Sequence, residues 1–157
     1  MSEGSHNHKL CQYSAHLPGV ILASAFLGLV IHLIFPIQLG DQDILSFVGT
    51  LLLMVSPLIV MWAQKKRREV YGPKAPGLSL QDLSRGPYAY SRHPSHLGLF
   101  FLVTGFALVL NSLFVVVFIF VTFFVFHFII IPKEEILLES HVGESYRIYK
   151  EKVRMWI

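Results

Sequence analysis

Charge is scarce in this chain. Only 15% of its 157 residues are Asp, Glu, Lys or Arg, where a soluble domain would carry about 25%. The long uncharged runs approach the roughly 20 residues needed to cross a bilayer, and 54% of all residues are hydrophobic. An ordinary water-soluble domain is excluded, and an integral membrane protein is expected. Cysteine is nearly absent as well. Cys11 stands alone, so no internal disulfide can form, and nothing around it resembles a set of metal ligands. His6 and His8 could hold an ion, but tail histidines usually do nothing, and no metal site is expected. The chain also lacks a Gly-rich phosphate loop ending in Lys-Ser or Lys-Thr, a His-Glu-x-x-His pair and a nucleophile elbow. A soluble dinucleotide-binding domain cannot be built from it. There is no internal repeat and no low-complexity tract. The net charge of +3 is modest and clustered, which suits a membrane surface better than nucleic acid.

What is present divides the chain into five stretches. Residues 1–16 form a polar N-terminal tail, with Met1 to Lys9 expected to be disordered. Residues 17–64 hold a first membrane hairpin. Its opening apolar run, Leu17 to Leu39, is too long for a signal peptide and has no small-residue cleavage site. Pro36 near its end is expected to be tolerated as a kink. After the acidic turn Asp41-Gln42-Asp43 comes a second span, Ile44 to Gln64, interrupted by Ser56-Pro57. Residues 65–93 form a loop that opens on Lys65-Lys66-Arg67-Arg68 and continues with Gly72-Pro73 and Pro76-Gly77. Residues 94–131 hold a second hairpin, Pro94 to Leu110 and Leu113 to Ile131, joined by a tight turn at Asn111-Ser112. Residues 132–157 form short C-terminal helices. One is acidic in its first turn and stops at Gly143; the next sets Tyr146, Tyr149 and Val153 on one face. The expected fold class is all-α, with about four transmembrane helices. The basic cluster after the second span puts that loop, and with it both termini, on the cytoplasmic side.

Polar chemistry concentrates in Arg85-Gly86-Pro87-Tyr88-Ala89-Tyr90-Ser91-Arg92-His93-Pro94-Ser95-His96-Leu97-Gly98. Pro94 biases His93 out of the α region, so a helix should start at Pro94 with His93 as its cap. Free N–H groups at that start, next to Arg92, favour an anion. A second polar cluster, Glu134-Glu135, comes after the last span. A hairpin returns to its own base, so the two clusters should be neighbours. An anion site beside a cation site suits a zwitterion such as the amino-acid end of S-adenosylmethionine, with Tyr88 and Tyr90 offering aromatic faces. The same opposed charges could instead form salt bridges across the hairpin base. His127 lies seven residues before Glu134 and shares its face on a continuous helix; Pro132 is the residue that could break this alignment.

The segment from Gly86 to Gly98, the apolar hairpin, Glu134-Glu135-Ile136, and Val142-Gly143-Glu144-Ser145-Tyr146-Arg147-Ile148-Tyr149 together resemble the isoprenylcysteine carboxyl methyltransferase family, to which phospholipid methyltransferases are related. The resemblance covers about Leu80 to Val153. It implies a multi-pass membrane enzyme that uses S-adenosylmethionine to methylate a lipophilic or membrane-delivered acceptor. It also implies cofactor contacts at Leu80, Gln81, Asp82, Leu83, Tyr88, His93, Pro94, Ser95, His96 and Glu134. Arg92 and Glu135 belong to the same motifs, and with His127 they are the expected catalytic group. The chain departs from the pattern in two places. His96 stands where the family usually has Tyr. Ile130 stands where the carboxyl methyltransferases have an Arg that faces the substrate carboxylate, so a neutral, thiol, amine or differently anchored acceptor is expected instead. Two alternatives remain: an NADPH-dependent sterol-type membrane reductase, and a non-catalytic membrane scaffold. Short four-span bundles often dimerise, so an oligomer is compatible with the sequence.

Overall fold

The computed structural model describes residues 3–71 and 86–156, with side chains over 18–66, 86–140 and 143–156. It is all-α. The helices are α1 (Glu3–Ile34), α2 (Gln42–Tyr71), α3 (Pro94–Val109), α4 (Leu113–Val125), α5 (Ile131–Val142) and α6 (Glu144–Lys152). A short 3-10 turn, Gly86–Ala89, precedes α3, and a π turn, Phe126–Ile130, joins α4 to α5. Leu113–Ser140 thus runs as one long helix. It and Gln42–Lys66 are each long and apolar enough to cross a membrane; Pro18–Ile34 and Pro94–Val109 are apolar but shorter.

Two expectations from the sequence are corrected. Residues from Glu3 onward are helical rather than a disordered tail. Once the apolar part of α1 is formed, each residue added upstream gains a backbone hydrogen bond without a new nucleation cost. At its other end α1 stops at Ile34, so Pro36 terminates the helix instead of kinking it. The proline ring biases Phe35 out of the α region and has no N–H to continue the ladder.

Pairing is crossed between the hairpins: α2 lies along α3, and α1 lies along α4. Missing side chains permit the closest approach. A Cβ on Gly49 would stand 2.7 Å from the Gly105 carbonyl oxygen, and one on Gly105 would stand 2.8 Å from that of Gly49. Backbone meets backbone there, as small residues allow in membrane helix pairs. The core between the helices contains Ile21, Phe100, Val103, Ala107, Val115, Ile119 and Phe126. Large apolar side chains on the opposite faces, among them Phe47, Met54, Leu58 and Phe120, are exposed, as lipid-facing residues are.

The expected turn at Asn111-Ser112 is present and ties the two hairpins together. Asn111 adopts φ 49°, a left-handed conformation that Asn tolerates better than most residues. Its Oδ1 accepts from the Leu39 and Gly40 amides at 2.8 and 3.2 Å, and its Nδ2 donates to the Gly40 carbonyl at 2.9 Å. Ser112 caps α4 by accepting from the Val115 amide.

Replacing Gly105 with Leu forces α2 and α3 apart. The expected cost is about 1–3 kcal/mol of stability, in the range of overpacked cores, read as a lower thermal midpoint of the purified protein in detergent.

Candidate functional site

Pro94 opens α3 at its first turn, with His93 as the N-cap at φ −127° and no side-chain bond of its own to the helix. The His93 ring is therefore available to point elsewhere. Three residues on, His96 leaves the first turn on a neighbouring position, and the two imidazoles stack with centroids 5.7 Å apart. The ring of Phe126, fully buried in the π turn, meets His96 edge-on at 5.5 Å.

The carboxylates arrive from the other arm of the hairpin. Glu134 closes the first turn of α5 and Glu135 follows it; they are 7% and 2% exposed. Glu135 is held on several sides. Arg92 Nη1 lies 2.6 Å from Oε1, His93 Nε2 lies 3.4 Å from the same oxygen, and Lys150 Nζ reaches Oε2 at 3.2 Å. Glu134 turns toward the imidazoles: its Oε2 is 3.6 Å from His93 Nδ1 and 4.0 Å from His96 Nδ1. The sequence expectation that the two polar clusters are neighbours holds. Arg92, His93, His96, Glu134 and Glu135 converge in one buried group, and both kinds of contact that the sequence left open are possible there. Glu135 makes salt bridges across the hairpin base, while Glu134 faces the ring nitrogens.

The remaining expected residues fall in several places. Pro94 is buried and Ser95 half-buried in the first turn of α3. Tyr88 is half-buried and packs against the Tyr146, Tyr149 and Val153 cluster, and its carbonyl accepts from the Tyr149 hydroxyl at 2.7 Å. Tyr90 is 72% exposed. Leu80, Gln81, Asp82 and Leu83 lie outside the described residues. His127 is not aligned with Glu134 as a straight helix would have it. Pro132 lacks an N–H, and the helix accommodates it with a wide turn in which the Ile131 amide bonds back to Phe126, five residues earlier. One extra residue in a turn rotates the downstream part of a helix by about 100°. The His127 ring instead lies between Phe123 and Phe128, and its Nδ1 accepts from the Trp156 indole N–H at 3.0 Å.

A C-terminal strap went unread in the sequence. After α6 the chain runs back under the start of α3. The Arg92 amide donates to the Arg154 carbonyl at 3.1 Å, the Ser91 hydroxyl donates to the Met155 carbonyl at 3.2 Å, and the Trp156 ring lies 5.0 Å from that of Phe123. The strap fixes the backbone that carries Arg92 and His93. Its one sequence signal was a tryptophan near the C-terminus, because an indole N–H inside a fold needs an acceptor.

Comparison with known proteins bears on what this arrangement does. Residues 44–145 match the model of the phospholipid methyltransferase family, a span that takes in well over half of the chain, including the whole Arg92–Glu135 cluster. The chain belongs to the phospholipid methyltransferase family. No curated protein and no solved structure matches it. Enzymes of this family are S-adenosylmethionine-dependent methyltransferases, so this chain is a methyltransferase, its cofactor is S-adenosylmethionine, and it is a membrane protein. The reductase and scaffold alternatives are left without support.

Glu135→Gln removes the counter-charge of Arg92 and Lys150. Breaking a buried pair from one side costs about 3–5 kcal/mol. Chemical unfolding in detergent is expected to show a loss of that order, whereas Glu144→Gln, in an exposed pair with Arg147, is expected to cost less than about 1 kcal/mol.

Proposed function

We propose that the buried cluster at the base of the second hairpin holds the amino-acid end of S-adenosylmethionine, and that the chain methylates a lipophilic acceptor delivered through the bilayer. One observation carries this reading: an arginine, two imidazoles and two carboxylates from opposite arms of a membrane hairpin share one buried volume. The donor set suits a zwitterion. Arg92 Nε is buried with no hydrogen-bond acceptor among the described residues, and a ligand carboxylate would satisfy it. Glu134, turned toward the imidazoles, suits an ammonium group. Glu135 is engaged by Arg92, His93 and Lys150, and its role is to position them.

S-adenosylmethionine, when bound, supplies a methyl group already activated on a sulfonium. The work left to the chain is alignment, which can lower a barrier by up to about 7–11 kcal/mol in favourable cases. Arg92 and Glu134 would fix the two ends of the amino-acid moiety, Tyr88 would flank the nucleoside, and burial of the cluster would exclude water. For an amine or thiol acceptor, His93 and His96 are the imidazoles near enough to take a proton. His127 contributes indirectly, by holding Trp156 and hence the strap beneath Arg92.

The acceptor class is argued from position 130. An isoprenylcysteine carboxylate would call for a cation there, and Ile130 is half-buried against the apolar core. A neutral or amine-bearing lipid fits this surface better, even though the motif resembles that of the isoprenylcysteine enzymes. For the topology, we infer four membrane crossings with both termini cytoplasmic. The two shorter apolar helices lie along the two long ones, and Lys65 to Arg68 supplies the cytoplasmic charge bias.

Calorimetry with S-adenosylmethionine tests the pocket. Glu134→Gln and His93→Ala are each expected to weaken binding by more than about tenfold, since losing a charge-assisted contact costs about 1.5–3 kcal/mol. Unchanged affinity in both would refute the site. Transfer of labelled methyl into a total lipid extract, but not into a prenylcysteine analogue, is expected for the acceptor.

A further inference from the structure

We propose that His93, His96 and Glu134 form a site for one divalent transition-metal cation of the zinc type, and that such a cation and S-adenosylmethionine exclude one another. The exclusion rests on the cofactor reading above; the metal site itself rests on geometry alone. One ligand atom from each of the three residues lies within 4.8 Å of the other two, and all three residues are buried. His93 Nδ1 and His96 Nδ1 lie 3.6 Å and 4.0 Å from the same Glu134 oxygen. Around a tetrahedral zinc with bonds of about 2.0–2.1 Å, ligand atoms stand about 3.3–3.5 Å apart. Closing the set takes a contraction of up to about 0.7 Å along the two histidine–carboxylate separations and of up to about 1.5 Å between the imidazole nitrogens, within reach of side-chain rotation.

The donor types select the ion. Two imidazoles and one carboxylate suit zinc and its first-row neighbours; calcium and magnesium prefer oxygen throughout. This ligand set leaves a fourth position open, as in catalytic rather than structural zinc sites. A supporting layer is also present. His93 Nε2 lies 3.4 Å from Glu135 Oε1. With its N–H given to Glu135, the ring turns the lone pair of Nδ1 toward Glu134, the carboxylate–histidine arrangement that orients metal ligands. Glu135 is itself fixed by Arg92 and Lys150, so the nearby cations are neutralised away from the proposed ion. Glu134 is the residue both occupants need: the cation as a ligand, the cofactor as a partner for its ammonium. A metal ion at this position would act as an inhibitor competitive with the cofactor.

The test uses full-length, tag-free protein in detergent micelles, with His6→Ala and His8→Ala as the background so that the N-terminal histidines cannot contribute. Co²⁺ is titrated and monitored by its visible ligand-field absorption. One equivalent is expected to bind. His96→Gln should weaken it by more than about tenfold, as loss of a ligand exceeds the usual effect of losing a supporting partner. His96→Asp, which restores a donor, should recover part of that loss, and thermal unfolding verifies that each variant is folded. S-adenosylmethionine should displace the ion, and Co²⁺ should raise the apparent Kd of S-adenosylmethionine in proportion to its concentration. Co²⁺ binding unaffected by His96→Gln, no binding at all, or simultaneous binding of ion and cofactor with unaltered affinities would each overturn the proposal. His96-dependent Co²⁺ binding in a protein that never binds S-adenosylmethionine would overturn the exclusion and the cofactor pocket, leaving the metal site standing.

Discussion

The Glu135 carboxylate is the constraint on which the rest of the site depends. It is 2% exposed and is approached by a guanidinium from the loop before α3, an imidazole from the cap of α3 and an ammonium from α6. A buried charge is expensive unless it is paired, and here the partners come from two distant stretches of chain, Arg92-His93 and α6. Holding those groups on Glu135 leaves Glu134, one residue earlier, directed at His93 and His96. The consecutive acids therefore do different things. One organises the protein around itself, and the other faces the space where a ligand would lie.

The helices make this possible by bringing the ends of the second hairpin together and by a single irregularity. Asn111 and Ser112 close the far end of the hairpin and bind it to the loop after α1. At the near end, the π turn before Pro132 shifts the long helix by one residue. That shift lays Phe126 under His96 and turns His127 to the Trp156 strap. Wide turns of this kind often occur at functional sites, and here the turn separates the polar cluster from the aromatic packing next to it.

Much of this was legible in the sequence because it is governed locally. Pro94 announces a helix start with His93 as its cap, Asn111-Ser112 a turn, and Gly143 a stop at φ 70°. The spacing of Tyr146, Tyr149 and Val153 gives the buried face of α6. The meeting of Glu134-Glu135 with Arg92-His93 is a consequence of hairpin topology. Other features are tertiary and leave little local trace. The exchange of partners between hairpins depends on Gly49 and Gly105 meeting across α2 and α3. Lys150 reads as a solvated helix charge until α6 folds back on α5. His127 and Glu134 share a face only when a regular helical period is carried across Pro132, and the π turn breaks that period. The strap at Arg154 to Trp156 uses mainly backbone carbonyls, which every residue possesses. Pro36 has two local outcomes, because near a helix end a proline can either kink or terminate, and only the chain beyond it decides.

The most direct test of the central claim is an experimental structure of the protein with S-adenosylhomocysteine bound. The account predicts the amino-acid end of that ligand between Arg92 and Glu134, with Glu135 still joined to Arg92 and Lys150. A nucleoside bound elsewhere, with Glu134 remaining against His93 and His96 and no ligand atom near it, would contradict the account.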